Sequence, residues 1–119
     1  MQATFCGGLL YSFVRHPMRL VQIFLPVYDN AGRPFPRGLV EQVRQELTDM
    51  FGGVTLYLRS PAVGAWEKES GTVCRDDVIL VEVMVDATER AWWTDYRHEL
   101  EQRFSQDQIL IRATDVDVL

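Results

Sequence analysis

Cysteine and histidine are scarce in this sequence, which has two of each among its 119 residues. Cys6 and Cys74 form no C-x-x-C pair, and two thiols alone cannot complete a zinc site. We expect two reduced thiols, as is usual in cytoplasmic proteins, unless the fold brings them within disulfide distance. His98 follows Asp95 at the i,i+3 spacing of helical metal ligands, but it falls outside the apolar stripe of its helix. We therefore predict no metal site.

Recognisable catalytic and phosphate-binding motifs are also absent. There is no G-x-S-x-G and no P-loop, and the polar stretch at residues 29–32 is shorter than a calcium-binding loop. Positive charge is in the minority, with 12 basic against 17 acidic residues and a formal net charge of −5. An acidic chain repels a phosphate backbone, so we expect no nucleic-acid partner. We expect no bound cofactor either.

The apolar stretch at residues 5–14 is too short to cross a bilayer, and it lacks the positive flank and cleavage site of a secretory signal. We therefore expect no membrane association and a cytoplasmic location. Because the first clear strand pattern begins after this stretch, we predict that residues 1–17 are a dispensable extension. Residues 18–119 are enough for a single domain with one core.

Hydrophobic periodicity predicts six elements in that domain. Apolar side chains alternate at residues 19–28, 54–59, within 73–86 and at 109–114, which indicates strands. Ser60-Pro61 interrupts the second of these and suggests an edge strand.

A helical stripe of apolar residues follows Pro34 and Pro36 from residue 39 to residue 51, where Gly52-Gly53 ends it. A second stripe covers residues 87–106. Asp86 and Glu89 fit a capping box at its start.

The order strand, helix, strand, strand, helix, strand predicts an α+β fold of the ferredoxin-like kind. Two right-handed split βαβ units give an antiparallel sheet in the order 4-1-3-2, with both helices on one face. The other face should be polar if it meets water, yet these strands are apolar on both sides. We expect a second copy to cover it, as a twofold homodimer. A monomer covered by residues 1–17 is the alternative.

Three polar residues interrupt the apolar pattern of that second face, namely Gln22, Glu82 and Arg112. In the predicted sheet they fall in a row, with Tyr57 and Arg59 at the far edge. A buried carboxylate needs a partner, and Arg112 is the obvious cation for Glu82. The row is either an ion pair that sets the dimer register or the lining of a small pocket.

Other side chains invite functional interpretations of lesser weight. Arg33 and Arg37 lie near the start of the first helix and could hold an anion. Trp66 could border a pocket or cover the sheet edge, whereas packing explains Trp92-Trp93 better than a cofactor site does.

Several short segments together resemble a group of small uncharacterised bacterial proteins with a ferredoxin-like arrangement. The segments are Phe51-Gly52-Gly53-Val54-Thr55, Gly64-Ala65-Trp66, Gly71-Thr72-Val73 with Asp76 or Asp77, and the apolar strand ending at Asp86. At the level of topology the chain is also similar to the dimeric α/β-barrel superfamily. That superfamily includes cofactor-free monooxygenases, stress-responsive small proteins and haem-handling enzymes. Topology alone implies no catalytic residue.

These observations favour a homodimeric binding or accessory domain without chemistry of its own, with a small molecule or a peptide as ligand. The alternative is a small enzyme of the dimeric-barrel type, similar to cofactor-independent monooxygenases and acting on a small organic substrate. Glu82 would then be the candidate base, in a pocket lined by Gln22, Tyr57 and Arg112. A peptide partner would add to the edge strand near Pro61.

Overall fold

The computed structural model describes residues 17–59 and 77–119. They form the predicted six elements, in this order: β1 (Pro17–Pro26), α1 (Arg37–Phe51), β2 (Thr55–Arg59), β3 (Val78–Val85), α2 (Arg90–Arg103) and β4 (Ile111–Asp117). Residues 1–16, both cysteines, the predicted interruption at Ser60-Pro61 and Trp66 lie outside the described residues.

The four strands form one antiparallel sheet in the order β2-β3-β1-β4. Counted from the opposite edge, the same order reads β4-β1-β3-β2, as the sequence predicts. β1 and β3 are the central strands, and their register places Val21 opposite Val83 and Ile23 opposite Val81. Each of these four side chains is almost completely buried.

Within the described residues, a hydrophobic core joins one face of the sheet to both helices. Alternate strand residues such as Ile23 and Val81 pack in the same cluster as Val43 and Leu47 of α1 and Leu100 of α2. Because successive side chains of a strand point to opposite faces, both helices must cover the same face of the sheet. We call the opposite face the outer face. Its residues are the even-numbered positions of β1, β3 and β4, and the odd-numbered positions of β2.

The ends of the elements follow the sequence signals only in part. Gly52 ends α1 in the left-handed conformation, with a φ of 85°, and its N–H donates to the Thr48 carbonyl at 2.8 Å. The predicted capping box is wrong, because α2 begins at Arg90, and Glu89 makes no side-chain cap. β4 continues through Asp117, which lies opposite Pro17, the first residue of β1.

The tandem tryptophans pack within the helix layer, as predicted. Trp93 is 6% exposed and stacks on Phe51, with ring centroids 5.4 Å apart. Trp92 stacks on Tyr96 at 5.0 Å. These contacts account for both rings as packing side chains.

Candidate functional site

A row of polar side chains crosses the outer face of the sheet. Gln22 in β1 lies directly opposite Glu82 in β3 on one side and Arg112 in β4 on the other. Thr55 in the edge strand β2 lies opposite Glu82 and ends the row. The register thus brings together the three residues that the sequence pattern assigned to one row, and we call Gln22, Glu82 and Arg112 the polar row.

The carboxamide of Gln22 links the two charges of the polar row. Its Nε2 donates to Glu82 Oε2 at 2.7 Å, and its Oε1 accepts a hydrogen bond from Arg112 Nε at 2.8 Å. The expected direct pairing of Glu82 with Arg112 does not occur among the described residues of this chain. β1 separates their strands, so their backbones are two strand spacings apart, about 10 Å, and Gln22 fills the gap.

The guanidinium of Arg112 also packs on an aromatic ring of the outer face. Its Cζ lies 4.9 Å from the centroid of Phe24, the neighbour of Gln22 on the same side of β1. Such a cation–π contact stabilises an exposed cation by about 0.5–1 kcal/mol. The ring and the Gln22 carboxamide together hold Arg112 over the outer face, although β4 is an edge strand.

Apolar side chains flank the polar row on both sides. On one side, Phe24 and Tyr57 both lie opposite Leu80, so they form a second row across three strands. On the other side, Leu20 lies opposite Met84. Leu80 is 5% exposed, whereas Met84 is 36% and Tyr57 45% exposed. The outer face therefore combines a linked pair of charges with accessible apolar surface.

The remaining residues predicted for this face are placed less centrally. Tyr57 lies beside Leu80, one cross-strand pair away from the polar row. Arg59 is the last residue of β2, and its backbone pairs with Val78. Trp66 lies outside the described residues. Thr55, which the sequence pattern did not single out, is the β2 residue that meets Glu82.

At the candidate anion site near the start of α1, a contact within the chain already engages one of the two arginines, Arg33. Asp29 accepts hydrogen bonds from the N–H groups of Arg33 and Ala31 at 2.8 and 2.9 Å. The bond from the Arg33 N–H is the main reason that the pKa of Asp29 lies below its ordinary value. The Arg33 side chain also turns back to this carboxylate, with 3.4 Å between Nε and Oδ2. Arg37 is the first residue of α1.

A cluster of charges lies between the two helices, and the sequence pattern did not single it out. Glu46 is half-buried and accepts hydrogen bonds from the Tyr96 hydroxyl at 2.8 Å and from both terminal nitrogens of Arg103 at 2.9 and 3.0 Å. Arg103 also binds Glu99 at 2.6 Å. The missed signal was Tyr96 itself, because a tyrosine on the buried stripe of a helix needs an acceptor for its hydroxyl.

The pKa directions within this cluster agree with a structural role. Burial acts to raise the pKa of Glu46, but the hydrogen bonds from Arg103 and Tyr96 outweigh it and hold that pKa below the ordinary value. Burial, followed by the hydrogen bond to Glu46, raises the pKa of Tyr96 far above the ordinary tyrosine value. Both groups therefore keep their usual protonation states. This favours a role in holding the two helices together over a role in proton transfer.

Glu101 provides a second tie, at the end of α2. Two ion pairs spaced i,i+4 form on α2, Arg97–Glu101 and Glu99–Arg103. Glu101 is only 9% exposed, and it accepts a hydrogen bond from the N–H of Ile109 at 3.0 Å. That hydrogen bond is the main cause of a pKa below the ordinary glutamate value. Through this hydrogen bond, Glu101 connects the end of α2 to the segment that leads into β4.

Metal ligands do not converge in the described parts of the chain. No group of three or more histidine, cysteine, aspartate or glutamate side chains is arranged there to hold a metal ion. His98 Nδ1 lies 3.3 Å from Glu101 Oε1, and its side chain is 60% exposed.

An open cleft of about 790 Å³ lies between the first half of α2 and the β1–β4 side of the sheet. Its lining is rich in arginine and otherwise mixes hydroxyl and apolar side chains: Arg19, Val21, Asp86, Ala87, Thr88, Arg90, Trp93, Thr94, Arg97, Ile111, Arg112 and Ala113.

No helix in the described residues is both long and apolar enough to pass through a membrane.

Comparison with known proteins gives only distant likenesses. No protein-family model matches the chain, and no curated protein matches it. Among solved structures, it is similar to a phage SAM lyase in complex with S-methyl-5'-thioadenosine, with a TM-score of 0.49 and 11% identity over 82% of this chain and 80% of that chain. It is similar to a phage SAM lyase in the apo state, with a TM-score of 0.41 and 10% identity over 97% of this chain and 86% of that chain.

These values are too low to bear on activity. The resemblance to small bacterial proteins therefore stays a prediction.

Proposed function

We propose that this chain is a cytoplasmic, ferredoxin-like homodimeric domain with a binding or accessory role, and that the outer face of the sheet is its dimer interface. The observation that carries the proposal is the polar row. Its ends are a carboxylate and a guanidinium, its centre is the carboxamide of Gln22, and accessible apolar side chains flank it.

Accessible apolar surface supports an interface at this position. Met84 and Tyr57 keep 36% and 45% of their surface exposed. Covering apolar area contributes about 25 cal/mol per Å², and aromatic and methionine side chains are enriched at interfaces. A sheet-on-sheet dimer brings two such faces about 10 Å apart, so that side chains from both sides interdigitate.

The order of charges in the polar row favours one dimer geometry. Two copies packed face to face are related by a twofold axis in the plane between them. If the axis runs parallel to the strands beneath Gln22, the row is reversed in the second copy. Arg112 then comes opposite the partner's Glu82, and the pairing occurs twice. If the axis runs across the strands, each residue comes opposite itself and like charges meet, which is unfavourable.

We therefore propose an axis parallel to the strands. Each charge already has one polar partner within its own chain, since Gln22 binds both. The second copy would complete their pairing, which reduces the unfavourable free energy of covering a charge. The polar row would then set the register of the dimer, and the apolar residues around it would contribute most of the affinity.

Charge exchange tests both the interface and its axis. The dissociation constant is measured by sedimentation equilibrium and light scattering for Glu82→Arg, Arg112→Glu and the double exchange. We expect each single change to weaken the dimer by at least about tenfold. The double exchange should restore most of that loss, because each chain again carries opposite charges at the two ends of the row.

The matched control is Glu41→Arg, which makes the same change of charge on the exposed surface of α1. It should leave the dissociation constant unchanged, and circular dichroism should show every variant folded. A monomeric unmodified chain would refute the dimer. A double exchange as weak as either single change would refute the axis parallel to the strands.

The enzymatic alternative has less support. A base at Glu82 needs a substrate cavity beside it, but the cleft next to α2 is lined by neither Gln22 nor Glu82. Glu82 is instead hydrogen-bonded within its own sheet. The cleft next to α2 therefore does not supply the cavity that a base at Glu82 would need.

A further inference from the structure

The cleft beside α2 is rich in arginine in a protein that is acidic as a whole. Four arginines and a single carboxylate, that of Asp86, are among its lining residues, although the chain has a formal net charge of −5. Like charges gathered on one surface repel each other. Such an arrangement is stabilised by negative charge from side chains or from a ligand.

Internal contacts engage two of these arginines. Arg19 donates from Nε to Thr88 Oγ1 at 3.1 Å and pairs through Nη1 with Asp115 at 2.6 Å. Arg97 pairs with Glu101 at 3.2 Å. These contacts fix both side chains along the cleft, and they leave other guanidinium N–H groups as donors.

The remaining two arginines differ in where they point. The guanidinium of Arg112 lies over Phe24 on the outer face, so we assign it to the polar row. Arg90 is exposed, and it makes no ion pair with any residue in the described parts of the chain. Among the cations that line the cleft, Arg90 is therefore the one best able to bind an anion from solution.

The first turn of α2 adds donors on the same side. Arg90, Thr94 and Arg97 are spaced i, i+4 and i+7, which aligns them along one side of the helix facing the cleft. Glu89 makes no side-chain cap, so the first N–H groups of α2 receive no acceptor from that residue. Free N–H groups at a helix start carry partial positive charge.

The opposite wall of the cleft is apolar. Ile111 and Ala113 of β4 are half-buried there, beside Trp93. A ligand that carried only charge would leave this wall unused. We propose that the cleft binds a small organic anion, with its acidic group against Arg90 and the start of α2 and its apolar or aromatic body against β4.

This proposal concerns the helix-covered side of the sheet and does not depend on the dimer. The test uses the full chain, labelled with nitrogen-15, and 2-naphthoate as the probe. In NMR titrations we expect saturable shifts of the amides of Thr88, Arg90, Thr94 and Ala113 at submillimolar to millimolar concentrations. The neutral analogue 2-naphthamide should bind at least about tenfold more weakly, because it lacks the charge-assisted hydrogen bonds.

Two variants separate the cleft from general surface charge. Arg90→Gln should weaken 2-naphthoate binding by about tenfold, whereas Arg44→Gln, the same change on the exposed side of α1, should not affect it. The dimer variant Glu82→Arg should also leave it unchanged. Absence of saturable shifts in these amides, or equal affinities for 2-naphthoate and 2-naphthamide, would overturn the proposal.

Discussion

Glu46 joins the two helices because it serves two buried or nearly buried donors at once. Arg103 is 12% exposed at its side chain, and Tyr96 is 7% exposed as a residue. A donor at such a position must find an acceptor, since leaving it unsatisfied costs about 1–3 kcal/mol. The sequence shows that Glu46 is polar and that Tyr96 lies on an apolar stripe. It does not show that the two helices bring them together, because that contact depends on how the helices pack.

Arg103 has two carboxylate partners of unequal burial, which gives a matched pair of substitutions. Glu46→Gln removes the charge that is half-buried between the helices, and we expect it to lower the free energy of unfolding by about 1–3 kcal/mol. Glu99→Gln removes the partner that is 58% exposed, and we expect a loss of about 0.5 kcal/mol or less. Urea unfolding at neutral pH measures both, and a larger loss for Glu99→Gln would contradict this assignment.

The ends of the helices show which local sequence signals were sufficient to predict where a helix begins or ends. The two glycines after residue 51 predicted the end of α1, because a left-handed residue is needed there and glycine adopts that conformation freely. The segment from Asp86 to Glu89 matched a capping box but does not begin α2. Thr88, within that segment, binds Arg19 of β1 through its hydroxyl. Sequence spacing cannot reveal such a contact with a distant strand.

Only one glycine of the pair after α1 needs its conformational freedom. Gly52 has a φ of 85°, whereas the φ of Gly53 lies outside the left-handed region, and open space surrounds the position that a Cβ would take there. We expect Gly52→Ala to lower stability by about 1–2 kcal/mol through backbone strain. Gly53→Ala should be neutral or raise stability by up to about 1 kcal/mol. Thermal unfolding of the two variants measures the difference, and equal losses would argue against a left-handed cap at Gly52.

The strands were predictable from alternation, but their limits were set by partners elsewhere in the chain. The sequence pattern predicted an end of β4 at residue 114 and left the alternating Asp-Val segment as a tail. That segment pairs with the start of β1, where Met18 lies opposite Val116, and Asp115 binds Arg19. The same non-local pairing explains the polar row, since its members are far apart in sequence and are aligned only by register. The alternation of apolar residues identified the face that the polar row shares. The strand register explains why Gln22 lies between Glu82 and Arg112 and binds both.

At the scale of the whole molecule, two surfaces formed by the described residues depart from an ordinary solvated exterior, and they lie on opposite sides of the sheet. The outer face carries accessible apolar groups around the polar row, whereas the cleft collects arginines beside α2. Their separation has a functional consequence. A dimer formed through the outer face would leave the cleft of each copy open to a ligand, so assembly and ligand binding could be varied independently.

Assembly through the outer face should make stability depend on protein concentration. A folded dimer that unfolds to separate chains is stabilised by mass action. For two chains of 119 residues, the usual enthalpy of unfolding per residue gives a rise of about 3 °C in the thermal midpoint for each tenfold rise in concentration. Calorimetry over a hundredfold range of concentration measures this slope. Glu82→Arg should lower the midpoint by about 3 °C or more at a given concentration, because a dimer weakened about tenfold behaves like the unmodified dimer at a tenth of its concentration, whereas Glu41→Arg should leave the midpoint unchanged. A midpoint that is independent of concentration in the unmodified chain would mean that the apolar groups of the outer face are not an interface of this kind.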